Sequence, residues 1–205
     1  MKGPAAPLVG SGDPASRTTD WVVESTTSIL RREPWIEVFE EHIRLPDGRL
    51  VDDFYTVRLP DFVIVAPLTD KGELVMVRHY RHGPRRMTHS LPSGFIEGGE
   101  SPADAAKREL LEETGYAAET WSNLGRYVVD GNRRCGMEHV FVATGVKRVA
   151  EPTQHDLAEA TVELVSAQEA VEKLWRGDIS ELPSAAGLAL ALLKEYEATK
   201  STPGA

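Results

Sequence analysis

A glycine-rich loop that leads into an acidic helix constrains this chain more than any other segment. The loop ends at Ser101, a residue type favoured as a helix N-cap, and Pro102 suits the first helical position. Asp104 completes a capping-box pattern with Ser101, and Gly115 is the residue type that commonly ends a helix. The sequence therefore predicts a helix from Pro102 to about Thr114.

Three carboxylates share one face of this predicted helix. Glu109, Glu112 and Glu113 stand at positions i, i+3 and i+4. Like charges at these spacings destabilise an isolated helix by roughly 0.2–0.5 kcal/mol per pair. Lys107 and Arg108 are expected to lie off this face and to reduce the repulsion without removing it. Two interpretations are open at this point, a solvated acidic surface or an oxygen-only site for a hard divalent cation.

The same helix carries an apolar stripe. Ala103, Ala106 and Leu110 are spaced to pack against a sheet. Ala105 is expected on the acidic face, where its small side chain leaves space. The pattern thus predicts that the packing face and the acidic face are separate.

Loop and helix together form one ordered motif, Gly94-x5-Glu100-x7-Arg108-Glu109-Leu110-x-Glu112-Glu113-x-Gly115-Tyr116. This motif resembles the Nudix box, the signature of the Nudix hydrolases, at each constrained position. The resemblance implies that water cleaves a P–O–P link with the help of Mg²⁺, or of Mn²⁺. The implied metal ligands are a backbone carbonyl near Ser93 and the carboxylates of Glu109, Glu112 and Glu113. Arg108, counted among the catalytic residues, would brace the helix to the loop by a charge-assisted pair with Glu100.

Within that family the chain is most similar to the ADP-ribose pyrophosphatases and nucleoside-diphosphate-sugar hydrolases. The resemblance implies that Arg81 reaches the substrate and that Trp35 stacks on a nucleobase. Each has a plainer alternative, a solvated basic loop for Arg81 and a strand-edge core residue for Trp35. Arg133 lies in a polar loop, residues 130–136, that is predicted to contact the substrate.

The general base is predicted from the same resemblance. Glu159, on the loop before the last strand, is the first candidate, followed by Asp156 and Glu163. The alternative is a glutamate of the motif itself, such as Glu112. In either case a carboxylate would orient the attacking water.

The implied substrate is a nucleoside diphosphate linked to a sugar, with ADP-ribose first. ADP-ribose pyrophosphatases usually carry a proline near the place of Gly131, and none occurs here from Ala103 to Glu151. The sugar specificity is therefore open, and another NDP-sugar, a dinucleotide or an oxidised nucleotide is an alternative. A non-catalytic nucleotide-sugar sensor is disfavoured because such modules typically lose motif glutamates.

Composition sets outer limits on function. A net charge of −9 argues against a nucleic-acid partner, which requires a basic surface. The single cysteine, Cys135, fits a reducing compartment and a cytoplasmic location. The longest apolar run is too short for a membrane span, so no membrane partner is expected.

The predicted fold is α/β, a Nudix-type α/β/α sandwich with a mixed sheet, preceded by a small antiparallel sheet. Residues 1–19 are predicted to be a flexible tail and residues 20–58 the N-terminal sheet, whose turn is Pro46-Asp47-Gly48. The hydrolase domain spans residues 59–198, and residues 199–205 form a C-terminal tail. The resemblance implies that the N-terminal sheet builds a homodimer.

Overall fold

The computed structural model describes residues 20–153 and 160–201. Its strands and helices follow in chain order as β1 (Val22–Arg32), β2 (Ile36–Arg44), β3 (Leu50–Arg58), β4 (Phe62–Leu68), β5 (Glu73–Arg81), β6 (Arg86–Ser90), β7 (Ser93–Phe95), α1 (Pro102–Thr114), β8 (Tyr116–Ala117), β9 (Thr120–Asp130), β10 (Arg134–Thr144), β11 (Lys147–Arg148), β12 (Ala160–Ser166), α2 (Ala167–Arg176) and α3 (Leu182–Ser201). The chain divides into two compact units between Arg58 and Leu59.

The N-terminal unit is an antiparallel sheet in which β2 lies between β1 and β3. The turn between β2 and β3 depends on Gly48, whose φ of +87° lies in the left-handed region that favours glycine. Its backbone N–H donates to the carbonyl of Leu45 at 2.9 Å. The structure therefore confirms the small antiparallel sheet that the alternating sequence predicts.

The second unit is built on a mixed sheet. Its β4 strand runs parallel to β10 and antiparallel to β5 and β7, while β5 also pairs antiparallel with β6 and β12. β9 pairs antiparallel with β10. A parallel neighbour requires coverage on both faces of the sheet, which the three described helices provide.

The alternation of β4 shows how the layers pack. Val63 and Val65 belong to the core cluster that contains α1, whereas Ile64 and Ala66 belong to the cluster that contains α2 and α3. Successive side chains of a strand point to opposite faces, so helices cover both sides of this sheet. The α/β/α architecture is confirmed.

Helix α1 is capped as its sequence predicts. The Ser101 hydroxyl accepts from the backbone N–H of Asp104 at 3.1 Å, and Pro102 occupies the first turn. Gly115 ends the helix with a φ of +76°, and its N–H donates to the carbonyl of Leu111 at 2.8 Å. A Cβ at Gly115 would also overlap the carbonyl oxygen of Ala150.

The predicted apolar stripe of α1 needs correction. Ala103 is exposed, and the buried residues of the helix are Ala105, Ala106, Glu109, Leu110 and Thr114. The buried residues 105, 106, 109 and 110 face the sheet. Helix α1 is therefore rotated about its own axis relative to the expected packing. The acidic and apolar faces overlap at Glu109, which is what carries this carboxylate into the protein.

Two short strands, β6 and β7, carry the chain from β5 toward the motif loop, and Arg86 begins β6. The polar loop between β9 and β10 is a tight turn in which the Asp130 carboxylate accepts from the backbone N–H groups of Asn132 and Arg133. The turn is thus stabilised by a side chain that bonds to the backbone of its own loop. None of the described helices is long and apolar enough to cross a membrane.

Candidate active site

A cavity of about 580 Å³ opens at the side of the sheet where α1 packs. Its wall is formed by residues from the motif, from the preceding strands and from the approach to β12: Phe62, Val77, Arg81, Ser93, Gly94, Phe95, Glu97, Arg108, Glu109, Glu112, Glu113, Thr153 and Ala160. The folded chain thus brings Arg81, Ser93, Arg108 and the three predicted metal-binding glutamates onto one surface.

Arg108 connects the loop, the helix and the cavity. Its Nε and Nη2 donate to the two carboxylate oxygens of Glu100, each at 3.0 Å, and Nη2 also donates to the carbonyl of Phe95 at 2.9 Å. Bidentate pairing of this kind fixes a guanidinium in orientation as well as in position. The hydrogen bonds from Arg108 hold the pKa of Glu100 below its ordinary value.

The expected position of Arg108 off the acidic face is wrong. Its Nη1 donates to Glu109 at 2.7 Å and to Glu112 at 3.1 Å. The i, i+4 spacing places Arg108 beside Glu112, and the pairing with Glu100 turns the guanidinium toward the cavity. Arg108 therefore compensates part of the negative charge on α1, and its carboxylate partners raise the pKa of its guanidinium.

The Glu109 carboxyl group packs against Gly94, which has no side chain to block it, a contact that we term the Gly94 cradle. Glu109 is only 9% exposed, and burial raises the pKa of its carboxyl group despite the opposing effect of Arg108. A Cβ on Gly94 would overlap the Glu109 carboxyl group. Glycine is thus required at position 94 for this close approach, even though its φ is not in the left-handed region.

Glu113 faces the same cavity through the β7 strand. Its Oε2 accepts from the backbone N–H of Ser93 at 2.9 Å. This bond places a carboxylate beside Ser93, the residue near which the fourth predicted ligand, a backbone carbonyl, lies. The positions of the loop and the helix are therefore coupled through both Glu109 and Glu113.

The donor set fits a hard divalent cation. Glu109, Glu112 and Glu113 supply only oxygen ligands, and one of them is a buried carboxylate that a cation would stabilise. Within the described ranges, no three His, Cys, Asp or Glu side chains already converge as a complete metal site. In this structure the carboxylates of Glu109 and Glu112 are paired with Arg108. What supports a divalent cation at this site is therefore the type of its ligands, all oxygens, and the close contact between Glu109 and Gly94.

The cavity wall also carries Arg81, the last residue of β5. The guanidinium Nε lies 3.1 Å from Oε1 of Glu181, which immediately precedes α3. Burial raises the pKa of the Glu181 carboxyl group, and Arg81 opposes this shift. Arg81 is thus held at the cavity wall by a partner that sequence reasoning missed.

Glu159, the predicted general base, lies outside the described residues, as does Asp156. Ala160, which follows Glu159 in sequence, lines the cavity. Thr153 also lines it, and the N–H of Thr153 donates to the carbonyl of Glu112 at 2.8 Å. Glu163, the third candidate, is placed elsewhere, with its Oε2 at 3.0 Å from Nε2 of His89. Glu163 is not among the residues that line the cavity.

Two predicted substrate contacts are not brought into the cavity wall. Arg133 is exposed in the turn between β9 and β10. Trp35 belongs to the N-terminal unit, in the turn between β1 and β2, and is 63% exposed, which contradicts its alternative as a core residue. Their roles in substrate binding stay predictions.

Sequence reasoning also missed Phe62, Glu97 and Thr153 on the cavity wall. Glu97 lies within the motif loop, and this position alone is enough to predict that it lies near the site. Phe62 begins a strand whose apolar run indicates only burial. The contribution of Thr153 depends on the pairing of its backbone with α1, for which the sequence carries no local signal.

Comparison with known proteins agrees with this geometry. A family model described as the NUDIX domain matches residues 57–184, and one described as the nucleoside diphosphate sugar hydrolase N-terminal domain matches residues 21–57. An ADP-ribose pyrophosphatase of Bacillus subtilis is 29% identical over 161 residues, which are 78% of this chain and 86% of that protein. An ADP-ribose pyrophosphatase of Mycobacterium tuberculosis is 33% identical over 154 residues, which are 72% of each protein.

The fold has a solved counterpart. A crystal structure of an ADP compounds hydrolase matches with a TM-score of 0.70 at 19% identity, covering 88% of this chain and 96% of that chain. At this identity the likeness shows the fold alone. Since the domain model spans more than half of the chain and the motif glutamates line one cavity, the protein belongs to the Nudix family and is a pyrophosphohydrolase that resembles the ADP-ribose pyrophosphatases.

Proposed function

We propose that the protein hydrolyses the pyrophosphate bond of a nucleoside diphosphate linked to a sugar, with ADP-ribose as the first substrate. The products are a nucleoside monophosphate and a sugar phosphate. The observation that supports this most is the shared wall of one cavity, which carries Arg81 together with Glu109, Glu112 and Glu113. The names of the two bacterial relatives support ADP-ribose in particular.

The cavity needs added positive charge before it can bind a pyrophosphate. Nudix hydrolases generally use divalent metal ions, and we propose Mg²⁺ here because the ligands are all oxygens. Glu109, Glu112, Glu113 and the backbone carbonyl of Ser93 would hold it. When bound, such ions offset charge on the phosphate oxygens and lower the pKa of water at the site.

The chain's own residues have separate roles in this proposal. Arg81 binds phosphate oxygens, since a guanidinium matches their geometry with two parallel donors. Arg108 holds the loop and the carboxylates in place through its five N–H donors. Phe62, Val77 and Phe95 give the cavity an apolar side.

Glu159 is the proposed general base, supported by the position of Ala160 on the cavity wall. Glu159→Gln removes the proton acceptor and should lower kcat about 10²–10⁴-fold with little change in KM. Glu163→Gln is the matched control, since Glu163 pairs with His89 and does not line the cavity. If Glu159→Gln retains the wild-type rate, the base is a motif carboxylate such as Glu112.

We also propose a homodimer built by the N-terminal sheet. Every residue of β1 is exposed in the single chain, including the large apolar side chains of Val22, Val23, Ile29 and Leu30. The apolar residues form two pairs separated by polar residues 24–28, and exposed apolar patches of this kind can mark a protein interface. A homodimer contact on this strand would bury these side chains.

A substrate screen tests the proposed function directly. Phosphate-monoester release would be measured with Mg²⁺ across ADP-ribose, other NDP-sugars, dinucleotides and nucleoside triphosphates, using an added phosphatase as reporter. The highest kcat/KM is expected for ADP-ribose. A preference for a dinucleotide or an oxidised nucleotide would overturn the sugar assignment, and no turnover of any compound would overturn the enzyme proposal.

A further inference from the structure

We propose that Glu181 is a positioning residue for the active site, which fixes Arg81 in the orientation that binds the substrate phosphate. The proposal rests on the proposed function, because it assigns a partner to an arginine of that site. Glu181 lies outside the motif and outside the wall of the cavity. It acts only through Arg81.

The ion pair has the geometry of a positioning contact. Glu181 Oε1 lies 3.1 Å from Nε of Arg81, and both side chains are largely buried. Nε is the guanidinium nitrogen nearest the side-chain stem. The contact is an ion pair and not an aligned hydrogen bond, so Glu181 acts by charge at the Nε edge of the guanidinium and restricts its orientation there.

Glu181 can impose this orientation because its own backbone is fixed. Its carbonyl accepts from the N–H of Ala185 at 3.0 Å, so the residue belongs to the start of α3. Ser184 is 1% exposed, and its hydroxyl accepts from the N–H of Leu91 at 3.2 Å. The start of α3 is therefore tied to the chain segment that enters β7.

A second set of bonds ties the residues just before Glu181 to β6. The Ser180 hydroxyl donates to the Thr88 hydroxyl at 2.8 Å, and the N–H of Ser180 donates to the same oxygen at 3.1 Å. Thr88 in turn donates to the carbonyl of Asp178 at 2.9 Å. Glu181 is held from both sides, by residues that precede it and by residues that follow it.

A long, flexible arginine loses side-chain entropy when it is ordered on a ligand. The pair with Glu181 orders Arg81 before the substrate arrives, so that less entropy is lost on binding. The cost of its removal should appear in substrate affinity more than in the chemical step. This distinguishes Glu181 from the carboxylates of α1.

The experiment compares Glu181→Gln with wild type in steady-state hydrolysis of ADP-ribose with Mg²⁺. KM should rise about tenfold with kcat changed less than about threefold, the pattern of lost uniform binding. Glu119→Gln is the control, because it removes an exposed ion pair with Lys147 and neither residue lines the cavity. It should leave both constants unchanged.

A double-mutant cycle with Arg81→Ala separates positioning from a structural effect. If Glu181 acts only through Arg81, adding Glu181→Gln to Arg81→Ala should change KM no further. Additive effects, or a wild-type KM in Glu181→Gln, would overturn the inference. If Glu181→Gln does not fold, Glu181→Asp keeps the charge at a shorter reach and should show an intermediate rise in KM. A wild-type KM in that variant would also overturn it. An inactive wild-type protein would instead remove the proposed function itself.

Discussion

At the scale of single residues, the site depends on a position where there is no side chain. Gly94 allows the Glu109 carboxyl group to lie against the backbone of β7, and Arg108 then holds that carboxyl group from the other side. Burial destabilises the charged form of the Glu109 carboxyl group and so raises its pKa. A divalent cation at Glu109 would offset part of this destabilisation.

Gly94→Ala tests this cradle. The added Cβ displaces the Glu109 carboxyl group, so the Mg²⁺ concentration for half-maximal activity should rise about tenfold or more while the fold is retained. Gly98→Ala is the matched control, because a Cβ there meets nothing within 4 Å. Equal Mg²⁺ dependence in both variants would contradict the role of the cradle. Circular dichroism would confirm that both variants are folded.

A second residue-scale prediction concerns a buried carboxyl outside the cavity wall. Glu138 on β10 is 6% exposed, its Oε1 has no hydrogen-bond partner among the described residues, and burial raises its pKa to about 7 from an ordinary value of 4.5. Between these two pH values the native state holds a proton that the unfolded chain has released. Stability should therefore fall as pH rises through this window.

Glu138→Gln should remove this part of the pH dependence. At pH 8 the variant should be more stable than wild type by on the order of 2 kcal/mol, and at pH 4 the difference should be small. Urea unfolding at several pH values measures it. Glu195→Gln, an exposed carboxyl on α3, is the control. An unchanged pH profile in Glu138→Gln would show that Glu138 is charged in the native state at no cost.

At the scale of elements, α1 shows what sequence can and cannot predict. Its start and end follow from local chemistry, a serine whose hydroxyl reaches a backbone N–H three residues on and a glycine with positive φ. Which face is buried depends on how the helix packs, so the sequence pattern places Ala103 in the core, whereas the structure buries Ala105. The periodicity of a helix specifies a stripe but not its rotation against a sheet.

The same distinction holds for the partners in the site. The pair between Glu100 and Arg108 was predicted because both belong to one motif. The pair between Arg81 and Glu181 joins residues from β5 and the start of α3, and no local pattern connects them. The tight turn after β9 likewise depends on a side chain, Asp130, that bonds its own loop.

Loss of the α1 cap gives an element-scale prediction. Ser101→Ala removes the bond to the N–H of Asp104 and should lower the free energy of unfolding by about 1 kcal/mol. The cap lies two turns before Glu109, so kcat should stay within about twofold of wild type. Ser166→Ala removes the equivalent cap of α2 and should cost about as much. A large loss of kcat at unchanged stability would mean that Ser101 acts in the site.

At the scale of the whole molecule, the chain is two compact units with different surfaces. The second unit has cores on both faces of its sheet, whereas every residue of β1 in the first unit is exposed. The exposed apolar side chains of β1 would be buried by an apolar surface that packs on them. We propose that a second copy of the chain supplies such a surface.

Deleting residues 20–58 tests this proposal. The truncated protein should be inactive or insoluble, because the proposed dimer would lose its contact surface and Trp35. Light scattering on the full chain should give the mass of a dimer. A soluble, fully active monomer after the deletion would contradict the proposed role of the N-terminal sheet.

The most direct measurement of the central claim is the Mg²⁺-dependent kcat for ADP-ribose in wild type, Glu112→Gln and Glu113→Gln. Both carboxamides keep the size of the side chain but remove its charge, so kcat should fall about a hundredfold or more with the fold intact. A near-wild-type rate in both variants, at the same Mg²⁺ concentration, would show that these carboxylates do not hold the metal.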